Sequence, residues 1–384
     1  MPSRRPPRVL DHIVQTFGEL EDPRIDRTKR HSLVNVLVMA LCGTLCGAEG
    51  WDELVDFCEA RRKWFESFLD MPNGIPSADT FRRVFERLDP DAFQERFTKF
   101  VAALARDVSG EVVAIDGKTL RGLVHKAGKA TQLHLVHVWA TSQKLLLAQQ
   151  AVDGASGEMA AIPNLLAMLD LEGAIITTDA NSCTAPVTRA IVESKADYVL
   201  AVKGNRGRFH DHIVKAFEEA TSTADMRSYG LTEEGHGRKE SRIVSVLEPA
   251  EWPWKTKNNG EWAGLRTAVR IERKRELLDG EQQRFVHYYV SSLPPEPERI
   301  GRAIRAHWDV ENGLHWLLDV AFDDDHRTVR NARSAENLAI VARMAFTLVK
   351  QDPTRKRGVA ASRKKAGWNT DYLAHVLTSG KSIT

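Results

Sequence analysis

The sequence predicts an α/β protein in which an all-helical N-terminal region precedes a mixed sheet. Apolar residues recur at helical spacing through residues 9–106, and β-rich runs separated by polar turns replace them after residue 110. Helical and strand patterns then alternate, which is typical of parallel strands joined by crossover helices. A chain of 384 residues is long enough for two or three domains with real cores.

Five helices are predicted in the N-terminal region, over 9–20, 32–45, 51–69, 77–88 and 91–106. Ser77 is a favourable N-cap for the fourth, which turns Phe81 inward while Arg82 and Arg83 point outward. Two interpretations stay open for this helix: the DNA-reading second helix of a helix-turn-helix, or a solvated surface helix. The uncharged stretch 32–48 is shorter than the roughly 18–20 residues that span a bilayer, so it predicts a buried core helix.

The remaining elements define the predicted domains. Strands are expected at 112–115, 133–139, 145–152, 174–178 and 198–202, with helices at 159–169, 185–195 and 208–220. Further strands at 243–247, 265–271 and 285–291 precede helices at 300–318 and 335–350. The domain boundaries follow: a helical N-terminal domain with a DNA-binding role at 1–108, a core at 109–226 and 293–350, a β-rich insertion at 227–292, and a basic C-terminal tail at 351–384.

Composition excludes several classes of protein. The 54 Lys and Arg residues nearly balance the 52 Asp and Glu residues, so the net charge of +2 gives no global argument for a nucleic-acid partner. Four cysteines do not make a disulfide framework or complete a zinc site. The basic N-terminus has no apolar segment behind it and is not a secretory signal. These features favour a cytoplasmic protein without a membrane partner.

Three acidic residues are the strongest candidates for chemistry. Asp116 and Asp179 each end an apolar strand, and sites in open α/β sheets assemble beyond the carboxyl ends of strands. Glu311, in a later helix, would complete a three-carboxylate cluster. Hard cations such as Mg²⁺ take such oxygen ligands, and two ions can clamp the oxygens of a phosphoryl displacement. Taken singly, each acid is more typical of a turn, a cap or a solvated surface, so only their combination indicates a site.

Basic residues accompany each acidic position. Lys118 and Arg121 follow Asp116, Lys203 and Arg206 follow the strand at 198–202, and Arg302, Arg305 and His307 precede Glu311. Such side chains suit contacts to a phosphate backbone. The Gly-Lys-Thr at 117–119 is not a nucleotide-binding loop, because the first glycine of that motif would fall on Val112.

Six segments resemble, in order, the motifs of one protein family. They read AIDGKTLRG at 114–122, LHLV at 133–136, AIP at 161–163, DYVLAVKGN at 197–205, HGRKE at 236–240 and HWDVENGLHWLLDV at 307–320. The sequence is similar to the DDE transposases of bacterial insertion sequences, in the branch called H-repeat-associated proteins. The N-terminal region resembles the domain associated with that branch, so the resemblance runs through essentially the whole chain.

The resemblance implies an RNase H-like catalytic core with the β-rich insertion between its last strand and the Glu helix. It implies that Asp116, Asp179 and Glu311 are the catalytic residues and the ligands of two Mg²⁺ ions, with Mn²⁺ as an alternative and Asp116 bridging both. The candidate DNA contacts are Lys118, Arg121, Lys203, Asn205, Arg206, Arg238, Arg305, His307 and Asn312, together with Arg82 and Arg83. The insertion's Trp252, Trp254 and Trp262 are open to two interpretations, packing or stacking on a displaced base.

The leading functional hypothesis is a DNA transposase. It would hydrolyse a phosphodiester at each end of the element with the help of divalent ions, and the freed 3′-OH would then attack target DNA. Double-stranded DNA is the expected partner, and a homodimer on DNA is compatible with it. Two alternatives stay open: a nuclease of the same fold without strand transfer, and a domesticated or inactive copy that only binds DNA.

Overall fold

A computed structural model describes residues 8–121, 132–154, 157–220, 226–235, 238–248, 262–276, 282–326, 329 and 331–378. Its N-terminal part is helical, as predicted, but the expected helix at 51–69 is broken at Arg61 into two. The helices are α1 (Arg8–Phe17), α2 (Leu33–Cys46), α3 (Trp51–Ala60), α4 (Arg62–Phe65), α5 (Ala78–Arg87) and α6 (Pro90–Ala102).

Local sequence explains how two of these helices begin and what they bury. Ser32 and Ser77 cap α2 and α5 by accepting a hydrogen bond from the backbone N–H three residues later, as expected for Ser77. Nearly every residue of α2 is buried, which confirms a core helix. Within the described ranges no single helix has the length and apolarity to cross a membrane; α2 and α3 meet that criterion only as a pair bent by 96°.

Nine strands form one mixed sheet in the order β3–β2–β1–β4–β5–β9–β8–β7–β6. The pairs β1–β4 and β4–β5 are parallel, as the crossover pattern predicts, and the other neighbours are antiparallel. The strands are β1 (Val112–Leu120), β2 (Leu133–Ala140), β3 (Leu145–Val152), β4 (Ile175–Thr178), β5 (Asp197–Val202), β6 (Arg227–Gly235), β7 (Arg238–Leu247), β8 (Thr267–Glu276) and β9 (Gln282–Ser291).

The β-rich segment continues the core sheet. β9 pairs with β5, so β6–β9 extend the sheet by four antiparallel strands. Sequence patterning missed β6 because Arg227–Gly235 has few apolar residues and no alternation.

Eight helices follow β3 in the described part of the chain. The predicted helix at 300–318 is interrupted by a π-helical turn, Val310–His315, because its hydrogen bonding widens there. The helices are α7 (Glu158–Ala167), α8 (Ala185–Glu193), α9 (Gly207–Glu219), α10 (Pro297–His307), α11 (Trp316–Phe322), α12 (Ala332–Gln351), α13 (Val359–Trp368) and α14 (Thr370–Thr378).

The C-terminal segment, expected as a basic tail, is helical and packed. α13 lies against α2 and α11, and α14 lies against α1. The buried Arg363 donates hydrogen bonds to the carbonyls of Thr44 (2.6 Å) and Leu45 (3.3 Å) near the end of α2. Its charge therefore serves an internal contact, which composition alone does not reveal. All four cysteines are free, in line with the expectation that no disulfide framework forms.

Candidate active site

Asp116 and Asp179 lie side by side where two parallel strands diverge. The last register pair between β1 and β4 joins Ile115 to Thr178, and Asp116 and Asp179 are the residues that directly follow this pair. The expectation that Asp116 ends its strand is wrong. β1 continues to Leu120, because β2 goes on pairing with β1 beyond the last residue of β4. The two aspartates therefore lie at the carboxyl end of the parallel pairing between β1 and β4.

Burial and neighbouring charge act together on Asp116. Burial raises its pKa to about 7 against a backbone hydrogen bond from Gly117, and the charges of Asp179, Glu311 and Glu158 raise it further. Asp179 Oδ1 accepts hydrogen bonds from the backbone N–H groups of Asn181 (3.1 Å) and Ser182 (3.2 Å). The site thus gathers carboxylates whose mutual repulsion a cation would relieve.

Glu311 lies in the π-helical turn with an exposed side chain. Side chains before and after it fasten this part of the chain to the sheet. Trp139 Nε1 donates to Asp309 Oδ2 at 2.7 Å, His137 Nδ1 lies 3.0 Å from His315 Nε2, and Lys118 Nζ lies 2.6 Å from Asp319 Oδ1. These three contacts, together with the ion pair between Lys144 and Asp309, hold the segment that carries Glu311 against the sheet.

Two histidines at the site, His307 and His315, are partly buried, and their low pKa values leave them uncharged at neutral pH. Burial lowers the pKa of His315 to about 3, with help from the charges of Lys118 and Arg343, and burial lowers that of His307 to about 4. His315 Nδ1 lies 3.6 Å from Asp116 Oδ2, too far for a hydrogen bond. His307 Nδ1 shares a hydrogen bond with Thr177 Oγ1 at 2.9 Å.

A fourth carboxylate, Glu158, was missed by the sequence analysis. It is the first residue of α7, and its Oε1 lies 2.6 Å from Nε2 of His134 on β2. Its charge adds to those that raise the pKa of Asp116, but it lies against Gly117, on the face of β1 opposite to the Asp116 side chain. The predicted helix began one residue later, and only the LHLV motif, which contains His134, pointed to this neighbourhood.

The loop after β5 lies against the loop that carries Asp179. Asn205 Nδ2 donates to the carbonyl of Ala180 at 3.3 Å, and Arg206 Nη2 donates to that of Asn181 at 2.7 Å. Lys203, at the start of this loop, is exposed. Three of the candidate DNA contacts are therefore brought to the acidic edge.

The other candidates are more dispersed. Lys118 is 8% exposed and paired with Asp319, so an outward contact to DNA does not fit its position and the expectation is corrected. Arg121 and Arg305 are exposed, and Asn312 Nδ2 donates to the carbonyl of Trp308 at 3.3 Å.

Two groups of candidates lie on other elements. Arg82 and Arg83 both pair with Asp79 on their own helix α5, which packs against α2, α3 and α12. The side chain of Arg238 lies outside the described residues, as do Trp252 and Trp254. Trp262 stacks on Phe209 at 4.3 Å, which favours the packing interpretation for this tryptophan.

The donor set suits a hard divalent cation in its chemistry. Its members are carboxylates, and burial together with the charges of the others raises the pKa of one of them, Asp116, to about 7. Within the described residues, however, no three His, Cys, Asp or Glu side chains are arranged as metal ligands. The residue types therefore fit a cation, while the assignment of individual ligands remains a proposal.

Comparison with known protein families establishes the family to which this chain belongs. Residues 108–348 match the model "Transposase DDE domain", and residues 14–101 match "DDE_Tnp_1-associated". The chain belongs to the DDE transposase family. It is therefore an enzyme of the transposase class, and the resemblance read from the sequence motifs is confirmed.

Relatives match this DDE transposase over nearly its whole length. It is 35% identical to "Putative transposase YncI" of Escherichia coli O157:H7, over 97% of this chain and 94% of that protein. It is 34% identical to "H repeat-associated putative transposase YhhI" of Escherichia coli K12, over 96% and 98%. A solved piggyBac transposase synaptic complex with hairpin DNA aligns at a TM-score of 0.42 and 12% identity, over 98% of this chain and 78% of that one.

Proposed function

We propose that this DDE transposase cleaves and joins DNA at the ends of an insertion sequence, with Asp116, Asp179 and Glu311 holding two divalent cations. The observation that carries the proposal is the placement of Asp116 beside Asp179 at the divergence of β1 and β4. The charge of Glu311 acts on Asp116, which supports its place in the same site. Mg²⁺ is the proposed ion, with Mn²⁺ as an alternative.

We infer that the core is RNase H-like. The support is the order β3–β2–β1–β4–β5, in which three antiparallel strands precede two parallel crossover strands. In this arrangement the carboxyl end of β4 meets β1, the strand that carries Asp116. The same topology leaves the edge of β5 for β9, which explains how 227–292 joins the core sheet.

The residues at the site have distinct proposed roles. A bound cation would favour the ionised form of Asp116, because its positive charge offsets both the burial and the repulsion that raise the pKa of this carboxyl group. Lys203 and Arg206, beside the Asp179 loop, would hold backbone phosphates without reading sequence. Bound cations would activate the attacking oxygen and stabilise the leaving one in an in-line displacement. Double-stranded DNA, as both transposon end and target, is the proposed partner, with a homodimer on DNA and a cytoplasmic location.

The test is cleavage of the element's own terminal DNA by purified protein with Mg²⁺. Asp116→Asn, Asp179→Asn and Glu311→Gln should each abolish nicking while DNA binding persists. Glu172→Gln is the matched control, since this exposed glutamate pairs with Lys195 away from the acidic residues. Retained nicking by Asp116→Asn would contradict the proposal.

The same assay separates the alternatives. A plasmid product with joined ends indicates a transposase, whereas nicking without joining indicates a nuclease of the same fold. Salt-sensitive DNA binding without metal-dependent cutting by the unmodified protein indicates an inactive, DNA-binding copy.

A further inference from the structure

One face of the β-rich segment changes from apolar to basic along its length. In the part nearest the core, Val244 and Ile271 are register partners that pack with Ile300 of α10. Two residues further along β7 and β8, the same face carries the pair Arg242 and Arg273, because alternate residues of a strand share a face. The surface that α10 covers thus gives way to arginines.

Three arginines of this face surround one buried glutamate. Arg242, Arg273 and Arg275 all pair with Glu240, whose side chain is 7% exposed, and the last two reach it only at 3.9 Å. The Nε atoms of Arg273 and Arg275 are buried and have no hydrogen-bond partner among the described residues. Each of the three arginine side chains is about a quarter exposed, so solvent reaches them.

The arginine cluster, formed by Arg242, Arg273 and Arg275, has more positive charge than Glu240 neutralises. Among the described side chains of this face, three guanidinium groups share this one carboxylate. The planar fork of a guanidinium group matches the oxygens of a phosphate as well as those of a carboxylate. The excess charge therefore suits an anion that approaches from solvent.

The arginine cluster is continuous with the acidic edge of the core. Phe285 and His287 of β9 lie on the same face, and the Phe285 ring centroid is 4.9 Å from the guanidinium carbon of Arg273. Burial lowers the pKa of His287, and the charges of Arg273 and Lys203 lower it further, so both cations lie near this ring. Lys203 begins the loop that contacts the Asp179 loop. Positive charge therefore extends from the proposed active site to the cluster.

We propose that the arginine cluster binds phosphates of the DNA backbone beside the active site. The inference rests on the proposed function for its choice of DNA as the ligand. Contacts of this kind hold a duplex in place without reading its sequence. Glu240, the last residue of the HGRKE motif, gathers the three guanidinium groups. The β-rich segment then serves to hold DNA whose reacting phosphodiester lies at the acidic edge.

The test is binding of a fluorescently labelled duplex to the full-length protein in EDTA, at several NaCl concentrations. Arg273→Gln and Arg275→Gln should each weaken binding by about 3- to 10-fold, because each loses one phosphate contact. The slope of log affinity against log salt should become shallower by about 0.9 for each variant. Unchanged affinity and slope in both variants would overturn the proposal.

Arg284→Gln is the matched control, because it removes the same charge from the opposite face of the same strands. Arg284 is 65% exposed, pairs with Glu272 at 2.7 Å, and lies opposite Lys274 in the register. We expect it to leave the salt slope unchanged. If Arg284→Gln weakened binding as much as Arg273→Gln, only the net charge of the segment would matter, and the cluster would not be a site.

A folding measurement accompanies these variants. Arg273→Gln also removes a contact with the ring of Phe285, so its unfolding temperature is measured in parallel. If Arg273→Gln does not fold, Arg275→Gln decides, because Arg275 lies two residues further from the part that α10 covers. Wild-type affinity and slope in Arg275→Gln would then refute the site.

Two duplexes of equal length identify the DNA that the cluster holds. One carries the element's terminal sequence, and the other is unrelated. Equal losses on both would support a phosphate site for any duplex, including the target. A loss confined to the terminal sequence would support a site for the transposon end.

The outcome is separable from that of the proposed function, because binding is measured without a divalent cation. Retained nicking by Asp116→Asn would contradict the roles of the carboxylates, while weakened binding by Arg273→Gln would still support the phosphate site. Abolished nicking by Asp116→Asn together with wild-type binding by both arginine variants would refute only the role of the cluster.

Discussion

Asp116 combines burial with repulsion, and both disfavour its charged form. Its side chain is 22% exposed, and three other carboxylates act on it. Between pH 3.8 and about 7, the cation-free folded protein therefore keeps a proton on Asp116 that the unfolded chain would release. The residue that is proposed to bind a cation thus lowers the stability of the cation-free protein at alkaline pH, a cost that functional sites commonly carry.

We predict that Asp116→Asn stabilises the metal-free protein, and more so at pH 8 than at pH 5.5. The folded pKa of about 7 lies above the ordinary value of 3.8, so the folded state binds more protons between these values and wild type loses stability as pH rises through that window. The gain at pH 8 should be on the order of a few kcal/mol, and it should narrow as pH falls. Urea unfolding in EDTA measures it.

Asp26→Asn, at a side chain that is 98% exposed, serves as the control and should change little at either pH. Equal stabilisation by Asp116→Asn at both pH values would show that the carboxyl group does not titrate as described.

The site residues that were predicted correctly are those whose place in the fold depends on the sequence pattern directly around them. Asp116 and Asp179 were found because each follows a short apolar run, and parallel pairing of those runs brings them together. Lys118 was misread because its partner Asp319 lies 201 residues further along the chain. Glu158 was missed for the same reason: only the folded sheet brings α7 to His134.

At the scale of elements, the π-helical turn at 310–315 is the least regular part of the site. Apolar spacing predicted one helix over 300–318, because periodicity does not register a single widened turn. Such turns occur frequently at functional sites. Here contacts to Asp309 and His315 hold the turn, so Glu311 can remain exposed while its backbone is fixed.

We predict that Trp139→Phe slows cleavage while leaving DNA binding intact. The change keeps an aromatic ring in a fully buried position but removes the 2.7 Å hydrogen bond to Asp309. Stability should fall by about 1 kcal/mol, and loss of positioning at Glu311 should slow single-turnover cleavage by about 10- to 100-fold.

The control is Phe346→Leu, which alters packing at the ring 6.0 Å from Trp139 without touching the hydrogen bond. It should lower stability more than cleavage rate. A Trp139→Phe protein that cleaves at the wild-type rate would show that this contact does not position Glu311.

The join between core and insertion shows a second limit of sequence patterning. The strands β7–β9 were predicted, but their place in the core sheet depends on pairing between Val199 and Ser291, which are far apart in the chain. Helix α10 packs against β1, β4 and β7, so it covers both parts. Patterning detects strands one at a time and carries no signal for which edge they join.

At the scale of the whole molecule, α12 joins the helical region to the sheet, and α6 packs directly on β3 as well. α12 packs against α2, α5, α6 and β3, and the buried Asn337 donates to the carbonyls of Phe85 and Leu88 at 2.9 and 3.0 Å. A single hydrophobic cluster runs through both regions. The N-terminal helices and the core are therefore expected to unfold together.

The C-terminal helices belong to the same core, and this gives the last prediction. Arg363→Met keeps the length of the side chain but removes its hydrogen bonds to the carbonyls of Thr44 and Leu45, of which the Thr44 carbonyl keeps the one from the N–H of Gly47. We expect a loss of about 1–3 kcal/mol in the free energy of unfolding, measured in urea. Lys364→Met removes the same charge from an exposed neighbour and should cost less than about 0.5 kcal/mol. Equal stabilities of the two variants would mean that residues 351–378 act as a detachable basic tail, whereas the packing of α13 on α2 requires them to differ.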